Sequence, residues 1–328
     1  MKYVTIHQTI VDYNAVKDNL DKPQVAVIIE NNSIEYQPYI PHDYSQDYLT
    51  IVSLEDNNTI SFSVSDASIA KTIFVSTDNG YTWAQKTSDK TAVALATLNT
   101  GDKLLIKGSN AAYGDSSFFN YFISTANFNV EGNIMSLIYG DNFIGQTTLD
   151  SSGYNFKHLF YNCNKLISAE NLSLPATTLV TGCYSDMFYK CSSLITAPNL
   201  PATTVATHCY NEMFRNCTSL TTIPSILPAT TLANYCYTLM FYNCTSLTTA
   251  PELPATTLTY YCYGYMFNGC TSLNYVKCLA TDISASNCTY CWLSNVASSG
   301  TFVKASNMSS WGSGASGIPS GWTVQDAA

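Results

Sequence analysis

Charge is the scarcest thing in this 328-residue chain: only 11% of its residues carry one, less than half the share of roughly a quarter found in ordinary domains. Of the 14 basic residues, Arg215 is the single arginine, and no basic cluster exists that could neutralise a phosphate backbone. Nucleic acid is therefore not an expected partner. No stretch approaches the ~18 apolar residues of a membrane span. The start, MKYVTIHQTIVDYNAVKDN, lacks the apolar run of a secretory leader, which reads as a chain made and kept in the cytoplasm. His7, His42, His158 and His208 open no metal-ligand or triad pattern, and no phosphate-binding glycine loop joins a strand to a helix. Of the twelve cysteines only Cys288 and Cys291 have the spacing of a zinc pair, and no second pair follows. The expectation is a chain with no metal, no cofactor and no catalytic activity.

What remains is neutral polarity: Thr, Ser, Asn and 24 tyrosines, with a net charge of −9. Residues 1–45 hold two strand-like runs, QVAVIIE and SIEYQPYI, joined by NNS and followed by a break at Pro38 and Pro41. With too few apolar residues for a core of its own, this part is expected to be an attachment segment. Residues 46–133 read at period two. TISFSV alternates at Ile60, Phe62 and Val64, and Asn79-Gly80 offers a hairpin turn between two runs. An antiparallel β-sandwich is expected there.

Residues 134–296 repeat. LFYNCNKL, MFYKCSSL, MFRNCTSL, MFYNCTSL and MFNGCTSL place Cys163, Cys191, Cys217, Cys244 and Cys270 at spacings of 28, 26, 27 and 26. A second column, Cys183, Cys209, Cys236 and Cys262, runs eight residues ahead of the last four. A fixed period of this length signals stacked coils. Leu258, Cys262, Met266 and Cys270 fall at i, i+4, i+8 and i+12, with Tyr263 and Phe267 beside them. That predicts a short helix with one buried face, capped by Thr256 or Thr257. Gly269, Asn162, Asn216 and Asn243 suit a left-handed turn at its end, with Lys190 the exception. TSLTTAPEL then predicts a short strand, and Leu247 a core position. The expected fold class is β-rich α/β: a β-sandwich followed by a leucine-rich-repeat solenoid of one short strand and one short helix per coil, closed by residues 297–328.

The phrase Phe-x-[Asn/Gly]-Cys-[Thr/Ser]-Ser-Leu, followed by a strand and a proline, resembles the BspA-like class of leucine-rich repeats over roughly residues 134–296. The ending SSGTFVKASNMSSWGSGASGIPSGWTV resembles the closing segment of such arrays. The β-rich region before the repeats resembles domains that precede them in surface proteins of gut anaerobes and their phages. The resemblance implies adhesion and recognition rather than catalysis. It leaves two placements: a phage virion protein (a fibre or a capsid decoration) and a bacterial cell-surface adhesin. The absence of a leader, and of any cysteine before Cys163, favours the virion.

A second likeness is local. STDNGYTW, Ser76 to Trp83, matches the Asp-box hairpin that recurs in sialidases, yet that resemblance implies several boxes and three arginines, and here there is one of each. A self-bonding turn is expected instead. The cysteines are expected as reduced, buried plugs, because Val296 takes their column in the last copy. The expected recognition residues are Tyr189, Tyr235, Tyr242, Tyr261 and Tyr265, which fall off the buried stripe. Expected partners are a host surface protein or glycan, other virion structural proteins through the N-terminal segment, and further copies of the chain. Membrane insertion is not expected.

Overall fold

The computed structural model describes strands Gln24–Ile28 and Ile34–Pro38 and residues 42–309 and 311–328. The chain divides into two units, Met1–Asp43 and Tyr44–Ala328. In the first unit β1 (Gln24–Ile28) and β2 (Ile34–Pro38) pair antiparallel, Gln24 opposite Pro38 and Ile28 opposite Ile34. The turn expected at NNS lies outside the described residues.

In the second unit, alternation makes the strands. In β4 (Asn58–Val64), Ile60 and Phe62 are fully buried while Thr59 and Ser61 stay partly exposed, the period-two signature of a half-buried strand. β4 lies between β7 (Val93–Leu98) and β9 (Asn120–Ser124), antiparallel to both. A larger sheet runs β11-β10-β3-β8-β5-β6, where β3 is Leu49–Ser53, β5 Thr72–Ser76, β6 Ala84–Thr87, β8 Lys103–Gly108, β10 Phe128–Asn133 and β11 Leu166–Ser168. The expected self-contained antiparallel sandwich is redrawn here. β10 is antiparallel to β3 on one side, but on the other it takes β11 and β12 (Leu172–Ser173) as parallel partners. The sheet is mixed and runs into the first repeat.

The solenoid with one helix per coil does not form. Among the described residues the one α-helix is Ser136–Tyr139, which precedes the first chain of turns. The segments expected as helices are chains of turns. Every fourth residue enters the left-handed region: Gly182, Asp186 and Lys190 at φ 60°, 56° and 64°, then His208, Glu212 and Asn216 at 58°, 56° and 62°. The same triplet recurs in the later copies up to Asn287, Cys291 and Asn295. Tyr184, Asp186, Phe188 and Lys190 donate their N–H groups to Cys209, Asn211, Met213 and Arg215 of the next copy at 2.8–3.0 Å, while Ser185, Met187, Tyr189 and Cys191 close turns onto residues three back. Half the N–H groups are thus satisfied within a copy and half by its neighbour.

The physical reason lies in the period. An α-helix turns 100° per residue and drifts about 40° in four, so i and i+12 would part by about 120°. Leu258, Cys262, Met266 and Cys270 are all buried, with no drift. The expected strand shrinks as well, to one-residue parallel bridges such as Ser168 with Thr196 and Thr196 with Thr222. Pro198, Pro201, Pro251 and Pro254 in these segments supply no N–H to a ladder.

Inside, two aromatic columns run along the stack. Phe160, Phe188, Phe214, Phe241 and Phe267 stack at 5.4–5.6 Å, nearly parallel. Tyr184, Tyr210, Tyr237 and Tyr263 stack beside them at 5.7–6.0 Å. Phe122 of β9 begins the first column against Phe160, and Trp311 ends the second on Trp292. The C-terminal strands β13 (Tyr275–Cys278), β14 (Gly300–Lys304) and β15 (Trp322–Asp326) then close the stack as a parallel sheet.

All twelve cysteines are free, and all but Cys291 are buried. They do more than fill space. The Sγ of Cys191, Cys217, Cys244 and Cys270 donates to the Phe160, Phe188, Phe214 and Phe241 carbonyls of the preceding copy at 2.9–3.1 Å. Burial pushes the Cys163 thiol up to about 12, so it stays protonated and inert.

Candidate functional site

Two of each four residues in a turn chain face the core and two form the flank, so one position in successive copies makes a column on the outside. The inter-copy hydrogen bonds tie successive copies together along these columns.

One column follows the buried phenylalanines. Tyr161 stacks on Tyr189 at 5.6 Å, and the Arg215 guanidinium lies 5.5 Å from the Tyr189 ring and 5.0 Å from the Tyr242 ring. Glu212 fixes that guanidinium through Nη1–Oε2 at 2.7 Å. A planar cation held between two tyrosines keeps the ladder continuous. The second column is uncharged. His208 stacks on Tyr235 at 4.7 Å, and Tyr235 on Tyr261 at 5.4 Å. Tyr260 and Tyr290 stand edge-on to Tyr235 and Tyr265, and each is 39% exposed.

The five expected tyrosines are all half-buried, and they do not share one column. Tyr189 and Tyr242 flank Arg215 in the first column and Tyr235 and Tyr261 lie in the second, whereas Tyr265 holds the position that Asp186 and Glu212 hold in earlier copies, edge-on to Tyr290. They also pack on neighbouring copies, so each ring both stabilises the stack and presents an edge. Arg215, His208, Tyr260 and Tyr290 were not among the expected residues. Aligning the copies exposes them, because Arg215 occupies the column of Tyr189 and Tyr242, and His208 that of Tyr235.

A third column, His158, Asp186 and Glu212, gathers titratable groups. His158 Nε2 lies 3.8 Å from Asp186 Oδ1, too far for a hydrogen bond. Burial, and then the Glu212 charge, raises the Asp186 carboxyl to about 7. Burial, and then Lys157, lowers the His158 imidazole to about 3. Both are therefore held neutral near pH 6, and the pair is a packed contact and not an ion pair.

The Asp-box hairpin spends its polar atoms on itself. Asp78 Oδ1 accepts the Ser76 hydroxyl and the Thr82 N–H at 2.7 and 2.9 Å, and its Oδ2 accepts the Thr82 hydroxyl at 2.6 Å. Those donors hold the Asp78 carboxyl down at about 2. Trp83 Nε1 closes the turn on the Gly80 carbonyl. Among the described residues no three His, Cys, Asp or Glu side chains gather where a metal could sit, and no helix is long and apolar enough to cross a membrane.

Compared with known proteins, the chain matches no family model, no curated protein and no solved structure.

Proposed function

We propose that this chain is a non-enzymatic structural protein of a phage virion, a fibre or capsid decoration, that presents its stack for recognition of a host-surface protein or glycan. The observation that carries the reading is the pair of outward aromatic columns, one of them clamping Arg215, on a backbone whose every second N–H is bonded to the next copy. Rigid tyrosine and arginine side chains give contact area at low entropic cost, the composition of binding surfaces. Twelve free thiols, nearly all buried, suit folding in a reducing compartment such as the cytoplasm where virions assemble. The N-terminal segment, with its β1–β2 pair, supplies attachment to other virion proteins; a lone two-stranded hairpin is marginal in water and gains by adding to a partner's sheet.

The test is mass spectrometry of purified particles together with binding of fluorescent protein to host cells. Presence in particles, and cell binding reduced at least tenfold by Tyr189→Ala with Tyr242→Ala, support the reading. Recovery in the cell envelope and never in particles gives the adhesin placement instead. No binding to any cell removes recognition itself.

A further inference from the structure

The copies are not equal in length where they bridge. Between Thr249 and Glu252 lie two residues, Ala250 and Pro251; between Thr222 and Ile226, the equivalent bridging positions one copy earlier, lie three, Ile223, Pro224 and Ser225. That extra residue is why Cys217 and Cys244 stand 27 apart and not 26. The first copy also has extra residues here, but its β12 pairs with β10. The third copy has no such partner, and its ladder breaks. Bridges join Ser168 to Thr196, Thr196 to Thr222 and Thr249 to Tyr275, but none joins Thr222 to Thr249. Elsewhere Ala169, Ala197 and Ala250 donate N–H to the Thr196, Thr222 and Tyr275 carbonyls; Ile223, in the same position, makes no such bond to Thr249. The N–H of Thr248 likewise lacks the rung to Thr221 that Asn274 makes to Thr248.

A cleft of about 440 Å³ opens at this break, within the size range of small-ligand sites. Its walls carry the hydroxyls of Thr222, Ser225 and Thr249, the Tyr275 ring, and Glu252 paired with Lys277 at 2.9 Å. From this structure we infer that the cleft between the third and fourth copies binds a neutral saccharide. The paired charges leave the cleft neutral overall, so an ionic ligand would strip one of them of its partner. Hydroxyls, a carboxylate, an ammonium and unbonded backbone groups together match a polyol, each of whose free hydroxyls both donates and accepts. The Tyr275 ring offers a flat surface for the C–H face of a sugar. This rests on the recognition reading and narrows it to one site and one ligand class, distinct from the aromatic flank.

The experiment is saturation-transfer NMR on the full chain with the methyl glycosides of glucose, galactose, mannose and N-acetylglucosamine, repeated on two variants. Deleting Ser225 restores the two-residue spacing and should close the cleft; Tyr275→Ala removes the platform but leaves the spacing. The expected result is transfer to at least one glycoside, lost on the deletion and weakened at least tenfold by Tyr275→Ala. No transfer to any of the four, or undiminished transfer in a folded Tyr275→Ala protein, overturns it. Cell binding measured on the same proteins separates the two readings. Cells bound without any sugar binding sink the cleft and leave recognition standing; loss of both sinks both.

Discussion

From Leu49 to Asn133 the chain extends, and from Gly153 to Asn295 it turns, yet both regions bond the backbone sideways to a neighbour. In the first, partners such as Ile51 and Leu104 come from strands at irregular separations, and side chains alternate between two faces. In the second, the turn chains donate to the next copy while segments such as Ile195 and Thr221 donate back to the preceding one, and in the turn chains the faces change every two residues and not every one. The sheet has an ordinary backbone and a varied set of partners. The stack pairs each copy with its neighbours in one repeated pattern and has a backbone that enters the left-handed region three times per copy, a conformation costing roughly 1–2 kcal/mol for each non-glycine residue. That cost is offset by burial, since Cys, Tyr, Met, Phe and Cys of the second to fifth copies all reach the core. The stack is therefore the region where loss of one core side chain should travel furthest.

Leu247→Ala is the sharpest way to break the comparison. Leu247 is fully buried, so the cost should be roughly 2–5 kcal/mol. Leu104→Ala in β8, equally buried, should cost a similar amount. Hydrogen exchange should separate them: faster exchange spreading into copies on both sides of Leu247, as nearest-neighbour coupling requires, against a rise centred on β8 and its partners. Equal, uniform exchange in both variants would show that the stack has no linear coupling.

The next effect depends on pH. Asp186 has its folded pKa raised from 3.8 to about 7. Its contribution is fully present below the unfolded value and is lost as pH rises through about 7. His158 is depressed from 6.5 to about 3, so its contribution is present above the unfolded value and lost as pH falls. Asp186→Asn removes the first effect while keeping a residue at ease with φ 56°. It should raise the melting temperature at pH 8, by a stabilisation on the order of 2 kcal/mol, and change little at pH 4. A gain at pH 4 and none at pH 8 would reverse the assignment.

How far the two regions were legible follows the same contrast. Ile60, Phe62 and Val64 were readable from alternation alone, because a strand has one period and one geometry. The cysteine columns gave the copies and their register. The turn chains were misread because a stripe at i, i+4 and i+8 fits a helix over two turns; only Cys270 at i+12, still buried, distinguishes a period of four from 3.6. The left-handed positions were half visible. Asn162, Asn216, Asn243 and Gly269 announce the last of each triplet, whereas Asp186, Glu212, Leu239 and Tyr265 at the middle one carry no such sign. Arg215 was discounted because it stands alone in composition, although its column places it with the tyrosines. The cleft was present in the 27-residue spacing, a number without meaning until the broken rungs gave it one.

The buried tyrosines sharpen the comparison by about 1 kcal/mol. Tyr237 has its hydroxyl buried with no hydrogen-bond partner, and Phe156 and Trp292 occupy the same column in other copies. Tyr237→Phe removes an unsatisfied polar group and keeps the stacked ring, so stability should rise by about 1 kcal/mol. Tyr113 in the sheet region, whose hydroxyl donates to the Leu137 carbonyl at 2.9 Å, should lose a similar amount on the same change. Denaturant midpoints that move in opposite directions are the expected result.

The smallest effect tests the backbone itself. Lys190 sits at φ 64° with its side chain exposed, and the equivalent residue in the other copies is Asn or Gly. Lys190→Gly relieves the left-handed strain but loses an exposed contact with the Tyr189 ring, 5.1 Å away, and loosens the unfolded chain. The sum should be a stabilisation below about 1 kcal/mol. Glycine at the exposed strand residue Ala84, in the extended β6, has only the entropic term and should destabilise by about 0.5–1 kcal/mol. Opposite signs for one substitution would place the difference between the two regions in φ, whereas a loss at both would show that the turn chain holds Lys190 without strain.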